Sequence, residues 1–390
     1  MVFDLGTGPV SLYLHVPLCK SRCSYCGFYS EPKKIWQGRE KAYLDRLLQE
    51  ISSITAPEGG FHTVYIGGGD PANLKAEGLK TLLHEIHRAG KPIETTIEAN
   101  PESIDENLFL LFEEGLVSRL SMGIQSMDDT ILSRLGRSAT TSQNRRALRT
   151  AQEARERWNI DISVDLMVAL PGQTAQMATD DIDQICSIVD VEHISLYCLT
   201  VEEGTLLAQE VAEQKITVWD EDGQEQFLRT MWEALAKRGF EHYEVSNFAK
   251  GRQYSKHNCV YWRLDDYLGL GSSAASTVGN THWEQTHDFD RWIEEPPLSG
   301  YEREDTSAIE RLEEYLMMGL RTRWGIDKAL FAERFGTSFD ELFANIIAHF
   351  NPDWYVDTKY FFSLTEDGWM VLDEILVRFV LQIPESLDPT

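Results

Sequence analysis

Apolar positions fall into short β-branched runs and longer amphipathic ones, which alternate from Leu12 to about Cys198. The short runs, Leu12–Val16, Thr63–Gly67, Thr95–Ala99, Arg119–Ile124, Asp161–Met167 and His193–Cys198, read as strands. The longer ones, near Lys41–Ser53, Leu79–Arg88, Glu106–Glu114, Asp128–Leu135, Gln143–Arg157 and Gln176–Val189, repeat at helical intervals. Six strand–helix units in series predict an α/β fold with a parallel sheet, because parallel neighbours need crossover connections. The pattern alone allows an open doubly wound sheet or a partial barrel.

Past Thr200 the alternation stops. A helical stretch, Gln224–Arg238, leads to Tyr243–Ala249, Ser255–Trp262 and Tyr267–Gly271, which mix aromatic, polar and glycine positions. From about residue 302 short helices follow at Ala308–Arg321, Asp327–Arg334 and Phe339–His349; after Tyr360–Leu364 a last helix covers Met370–Phe379. This tail predicts a small, helix-rich domain of winged-helix-like character. The expected divisions are residues 1–200, 201–300 and 301–390.

A chain of 390 residues with 42% hydrophobic content can bury one large domain and a smaller one. Its formal net charge of -27 argues against nucleic-acid backbones and anionic membranes as main partners. The opening residues Met1–Gly8 lack the basic and apolar regions of a signal peptide. No run approaches the ~18 apolar residues of a membrane span. Three of the six cysteines cluster, while Cys186, Cys198 and Cys259 are scattered. That usage fits a reducing cytoplasm better than a disulfide framework.

The clustered thiols, Cys19, Cys23 and Cys26, are spaced C-x3-C-x2-C. Three thiolates on one loop suit a [4Fe–4S] cluster with one iron left free for a small molecule. A zinc ion held by the same thiolates and His15 is the alternative, although no second Cys/His pair lies nearby. After the second strand comes Gly67-Gly68-Gly69-Asp70-Pro71, whose bare backbone can approach a ligand closely. Glu98-Ala99-Asn100-Pro101, Gly123-Ile124-Gln125-Ser126, Leu135-Gly136-Arg137 and Asp165 with Leu170–Gln173 follow later strands. Singly, each is a cap or a satisfied polar residue. Their recurrence at successive strand ends points to a site at the C-terminal face. His257, beside Tyr261 and Trp262, is either a core histidine, the commoner outcome, or an iron ligand packed by aromatic rings.

The cysteine spacing, with Tyr25 before the third thiol, resembles the signature of the radical S-adenosylmethionine (radical SAM) superfamily. His15-Val16-Pro17, Gly67–Pro71, Glu98–Pro101, Gly123–Ser126, Leu170–Gln173, Tyr243–Ala249 and His257–Trp262 extend the resemblance. They are similar to motifs of the oxygen-independent coproporphyrinogen III oxidase-like family, and within it the haem-chaperone branch. The resemblance runs from Leu12 to about Phe379 and implies a partial (β/α)6 barrel. It implies a [4Fe–4S] cluster on Cys19, Cys23 and Cys26. It implies an S-adenosylmethionine site lined by Tyr13, Gly68, Gly69, Asp70, Glu98, Gln125, Arg137 and Asp165. His257, in an H-N-x-x-Y-W motif, would ligate haem. The implied partners are haem, a haem-accepting protein and an electron donor for the cluster.

The rival within the family is the oxidase itself, which oxidatively decarboxylates coproporphyrinogen III to protoporphyrinogen IX. Phe28 stands where the oxidases carry a further cysteine, and only 18 residues precede Cys19 where they have a longer segment. Both features favour the chaperone. Asp70 replaces the family's usual threonine and Ser138 its usual histidine. Asp70 would set a carboxylate beside the nucleotide, repelling its carboxylate or bonding its ammonium group.

Overall fold

The computed structural model describes residue 5 and residues 8–384, except 300 and 302, and realises the six-strand series nearly residue for residue. Strands β1 (Ser11–Val16), β2 (Thr63–Gly68), β3 (Glu94–Ala99), β4 (Arg119–Gln125), β5 (Asp161–Val168) and β6 (His193–Cys198) pair in parallel, in chain order. Side chains alternate between the two faces of such a wall. Leu14, Ile66, Ile97, Met122, Val164 and Ile194 are buried in one apolar core. The crossover helices Glu40–Ser52, Ala76–His87, Thr141–Trp158 and Ala175–Ile188 add their apolar faces to it. The other set, including Tyr13, Tyr65, Glu98, Arg119, Asp165 and His193, is polar. Aliphatic layers normally fill a closed eight-stranded barrel. Here the inner face is lined for a polar occupant.

Residues 201–300 are built into this wall. β7 (Glu241–Glu244) and β8 (Asn247–Ala249) join antiparallel outside β6. β9 (Tyr267–Leu270) runs parallel outside β1, and β10 (Ala275–Val278), β11 (Thr281–Glu284) and β12 (Arg303–Asp305) continue antiparallel beyond it. The twelve-stranded order is β12-β11-β10-β9-β1-β2-β3-β4-β5-β6-β8-β7. Strands therefore resume after Thr200, but at three or four residues each they are too short to show a period. β1 and β6 take different outer neighbours, so the six-stranded wall stays open as a partial barrel. At the N-terminal ends of its strands lies the helix Lys256–Trp262. The carboxylate of Glu94 accepts from the backbone N–H groups of Lys256 and His257, at 3.2 and 3.0 Å.

The tail has its own core of Leu312, Phe331, Phe339, Phe343, Phe362 and Phe379. Around it stand short helices and a three-stranded antiparallel sheet of Ile326–Asp327, Phe361–Leu364 and Tyr355–Asp357. Among the described residues no helix is long and apolar enough to cross a membrane.

Candidate cluster and nucleotide site

The C-terminal ends of the parallel strands meet the cysteine loop. As the chain leaves β1, Leu18–Cys19 pairs with Glu31–Pro32, which closes the loop at its base. Leu18 O accepts from Asn73 Nδ2 at 2.9 Å and from the Asp70 N–H at 3.0 Å. Trp36 Nε1 donates to Cys19 O at 3.0 Å. Farther along, the Ser24 N–H donates to Leu135 O at 2.9 Å. Cys19, Cys23 and Cys26 are free and half-buried. Burial pushes the Cys19 thiol up to about 12 and raises that of Cys26.

Among the described residues no group of three or more His, Cys, Asp or Glu side chains is assembled to hold a metal ion. A four-iron cube offers each thiolate its own iron, so its donors need not meet at one point. A zinc ion needs convergence and a fourth ligand. His15, the candidate for that fourth place, is already engaged. Its Nδ1 pairs with the Tyr13 hydroxyl at 2.9 Å and its Nε2 with Tyr29 O at 3.2 Å. Burial lowers its pKa to about 4, so the ring is neutral. The donor set fits a cluster better than zinc.

One half-buried cation adjoins the thiols. Arg137 Nη1 lies 3.6 Å from Cys23 Sγ, while Nη2 donates to Gly123 O at 2.7 Å and Asn100 Oδ1 at 2.9 Å. Burial works against its charge, but Cys23, Tyr25 and Glu102 outweigh it and raise its pKa. Arg137 Nε is buried with no partner. Such an orphaned donor calls for an explanation, and a bound ligand supplies one. Gly123 leaves room beside it: a Cβ there would meet Gln125 Nε2 at 3.1 Å and Arg137 Nη2 at 3.6 Å. Gln125 is left-handed, with φ 65, at a bulge that ends the β4–β5 pairing. Such a backbone costs of order 1–3 kcal/mol for a residue other than glycine and clusters at ligand sites.

The glycine turn is crowded from below. At Gly68, with φ +105, a Cβ would fall 2.6 Å from the His15 ring. Glu98 supports the turn, its Oε2 accepting from the Gly68 N–H at 3.1 Å and its Oε1 from the Tyr65 hydroxyl at 2.6 Å. Burial lifts the Glu98 carboxyl to about 7. Asp165 is likewise raised by burial and accepts from Ser121 Oγ at 3.4 Å. The structure thus brings Tyr13, Gly68, Gly69, Glu98, Gln125, Arg137 and Asp165 to the strand ends or the inner face just beneath them. Carboxylates, an orphaned guanidinium N–H and bare glycine backbone suit a nucleotide carrying ammonium, carboxylate and hydroxyl groups. Asp70 stands apart, because its carboxylate is turned to Ser103 and Asn100.

His257 lies at the opposite, N-terminal ends of the strands. Its Nδ1 pairs with Thr63 Oγ1 at 2.7 Å and its Nε2 with the Tyr261 hydroxyl at 2.9 Å. It is fully buried, and burial lowers its pKa to about 3. A neutral imidazole has one donor and one acceptor nitrogen, and both are taken here. The expected haem ligand is therefore seated as a core histidine. Two residues of the inner face escaped the sequence. Tyr197, at the end of β6, is 42% exposed yet flanked by Asp165, and Arg119 is buried near Glu94 and Asp165. Their inward register in strands β4 and β6 was the available signal.

Comparison with known proteins adds to this geometry. The pattern of the radical SAM superfamily matches residues 13–185, and that of the HemN C-terminal domain residues 306–371. The heme chaperone HemW of Bacillus subtilis is 31% identical over 381 residues, covering 95% of this chain and 99% of its own. The heme chaperone HemW of Haemophilus influenzae is 30% identical over 386 residues, covering 96% and 98%. The mitochondrial radical S-adenosyl methionine domain-containing protein 1 of Bos taurus is 36% identical over 338 residues, covering 82% and 75%. The solved structure of Escherichia coli coproporphyrinogen III oxidase (HemN), a radical SAM enzyme, superposes with a TM-score of 0.78. It covers 97% of this chain and 91% of its own at 19% identity, a likeness of fold.

Proposed function

The chain belongs to the radical SAM superfamily, alongside the heme chaperone HemW proteins that match nearly its whole length, and from that premise we propose that it binds haem and delivers it to an acceptor protein. Cys19, Cys23 and Cys26 hold a [4Fe–4S] cluster, and S-adenosylmethionine lies against Tyr13, Gly68, Gly69, Glu98, Gln125, Arg137 and Asp165. When bound, the cluster supplies an electron for breaking the sulfonium C–S bond. The protein's share is placement. Arg137 keeps positive charge beside the thiolates, and Glu98 fixes the glycine turn over which the nucleotide approaches. A cluster on thiolate ligands favours a reducing compartment, which supports assigning the chain to the cytoplasm.

The observation that carries this reading is the loop of three free thiols at the strand ends, one of them beside the half-buried Arg137 guanidinium. Against the oxidase, Phe28 lies two residues past Cys26, 76% exposed, where the oxidases place a thiol. The test is anaerobic reconstitution followed by separate haem and coproporphyrinogen III assays. The protein should take up about four irons, bind haem with a Soret band, and form no protoporphyrinogen with reductant and S-adenosylmethionine. Steady product would make it the oxidase. Cys23→Ala should abolish the iron–sulfur absorbance and Cys186→Ala should keep it; the reverse pattern would move the cluster.

A further inference from the structure

The turn Pro101–Ser103 gathers bonds from three directions. Ser103 Oγ donates its single proton to Asp70 Oδ2 at 2.6 Å, which leaves its lone pairs to accept from Lys20 Nζ at 2.7 Å. Asp70 Oδ1 lies 3.5 Å from the Asn100 N–H. Ser138 Oγ donates to Glu102 Oε1, and neighbouring Arg137 reaches both Asn100 and Cys23. Both positions where the chain departs from its family's pattern, Asp70 and Ser138, thus meet at this turn. Asp70 is 0% exposed, so its carboxylate has to be matched inside the fold. An ammonium–hydroxyl–carboxylate bridge does so, and the ammonium belongs to the residue that follows Cys19.

We infer that Asp70, Ser103 and Lys20 are positioning residues which brace the cysteine loop against the Pro101–Ser103 turn, the Asp70 carboxylate serving the brace and not the nucleotide. The inference rests on the cluster reading above. Lys20 is exposed, and an exposed charge pair by itself contributes little. The brace differs because its other end is buried and its middle hydroxyl has one arrangement that satisfies both partners. Partners one step removed from metal ligands commonly change metal retention by 10–100-fold.

Wild type, Asp70→Asn, Ser103→Ala and Lys20→Met would be reconstituted anaerobically. Iron loss to a chelator would be followed by absorbance, and S-adenosylmethionine affinity by calorimetry. Ser103→Ala and Lys20→Met should each release iron about tenfold faster, with the double variant no faster than either alone. Nucleotide affinity should be unchanged in all, including Asp70→Asn. In the iron-free chain, trypsin cleavage after the exposed Arg22 should accelerate in Ser103→Ala and in Lys20→Met, the latter, which keeps the buried Ser103–Asp70 bond, with its melting temperature held. If wild type takes up no iron, the cluster reading falls and the cleavage assay alone judges the brace. Wild-type iron release and cleavage in Ser103→Ala would overturn the inference. Loss of nucleotide binding in Asp70→Asn, with iron retained, would return Asp70 to the nucleotide site.

Discussion

Glu98 accepts two hydrogen bonds, yet burial still lifts its carboxyl from 4.5 to about 7. The folded chain therefore holds this proton more tightly than the unfolded one. Its contribution to stability is complete below about pH 4.5 and is lost as the pH rises through about 7. Asp70 and Asp181, raised by burial to about 6, slope the same way. His15, His87 and His257, lowered by burial to about 4, 4 and 3, slope oppositely, their contribution being present above pH 6.5 and lost as the pH falls. Glu98→Gln should therefore remove its share of the fall in melting temperature as the pH rises from about 4.5 to 7. An unaltered slope would show that Glu98 does not control it. His257→Ala should strand the Tyr261 hydroxyl, Thr63 keeping its bond to Ser11, and cost about 2 kcal/mol in denaturant unfolding, with the haem Soret band retained. Loss of the band in a folded variant would make His257 the iron ligand after all. Spacing left both roles open because the partner that settles the geometry, Thr63, lies 194 positions away in sequence.

The six wall strands were legible because each is six to eight residues long and alternates faces, so periodicity and length agree. The flanking strands β7 to β12 were not, since short runs such as Asn247–Ala249 take their identity from the edge they join. The site divides similarly. Clustered thiols and consecutive glycines are unusual enough to stand out in sequence. Lys20, Tyr65, Ser103 and Tyr197 are ordinary residues whose roles come from register and neighbours. The glycine turn shows how an element turns composition into geometry. Gly68 combines φ +105 with a neighbouring ring 2.6 Å from any added Cβ, while its N–H is held by Glu98. Gly68→Ala should thus destabilise by about 3 kcal/mol and weaken S-adenosylmethionine binding as the turn lifts. A wild-type unfolding midpoint would mean that the turn relaxes without cost.

At the scale of the whole molecule, two apolar cores are joined along β7. The Val245 N–H donates to Arg321 O at 3.1 Å, and the Arg323 N–H donates to Tyr243 O at 3.0 Å. The Tyr243 hydroxyl pairs with His193 at 2.7 Å, so the same short strand touches both the barrel interior and the tail. The central contact is charged. Arg321 Nε donates to Glu244 Oε1 at 3.0 Å, with the glutamate side chain 1% exposed and the arginine 32%. Glu244 also accepts from Asn247 Nδ2 at 2.7 Å, which keeps its carboxylate partly satisfied when the arginine is removed. Arg321→Ala should therefore cost about 2 kcal/mol, between a neutral hydrogen bond and a fully stranded buried charge. Because the loss falls on the junction, the tail should unfold ahead of the barrel, splitting the transition followed by tryptophan fluorescence. Adding Glu244→Gln removes the stranded charge and should recover part of that loss. A double variant no more stable than Arg321→Ala would show that the junction is held by its backbone bonds and apolar contacts, with the ion pair incidental.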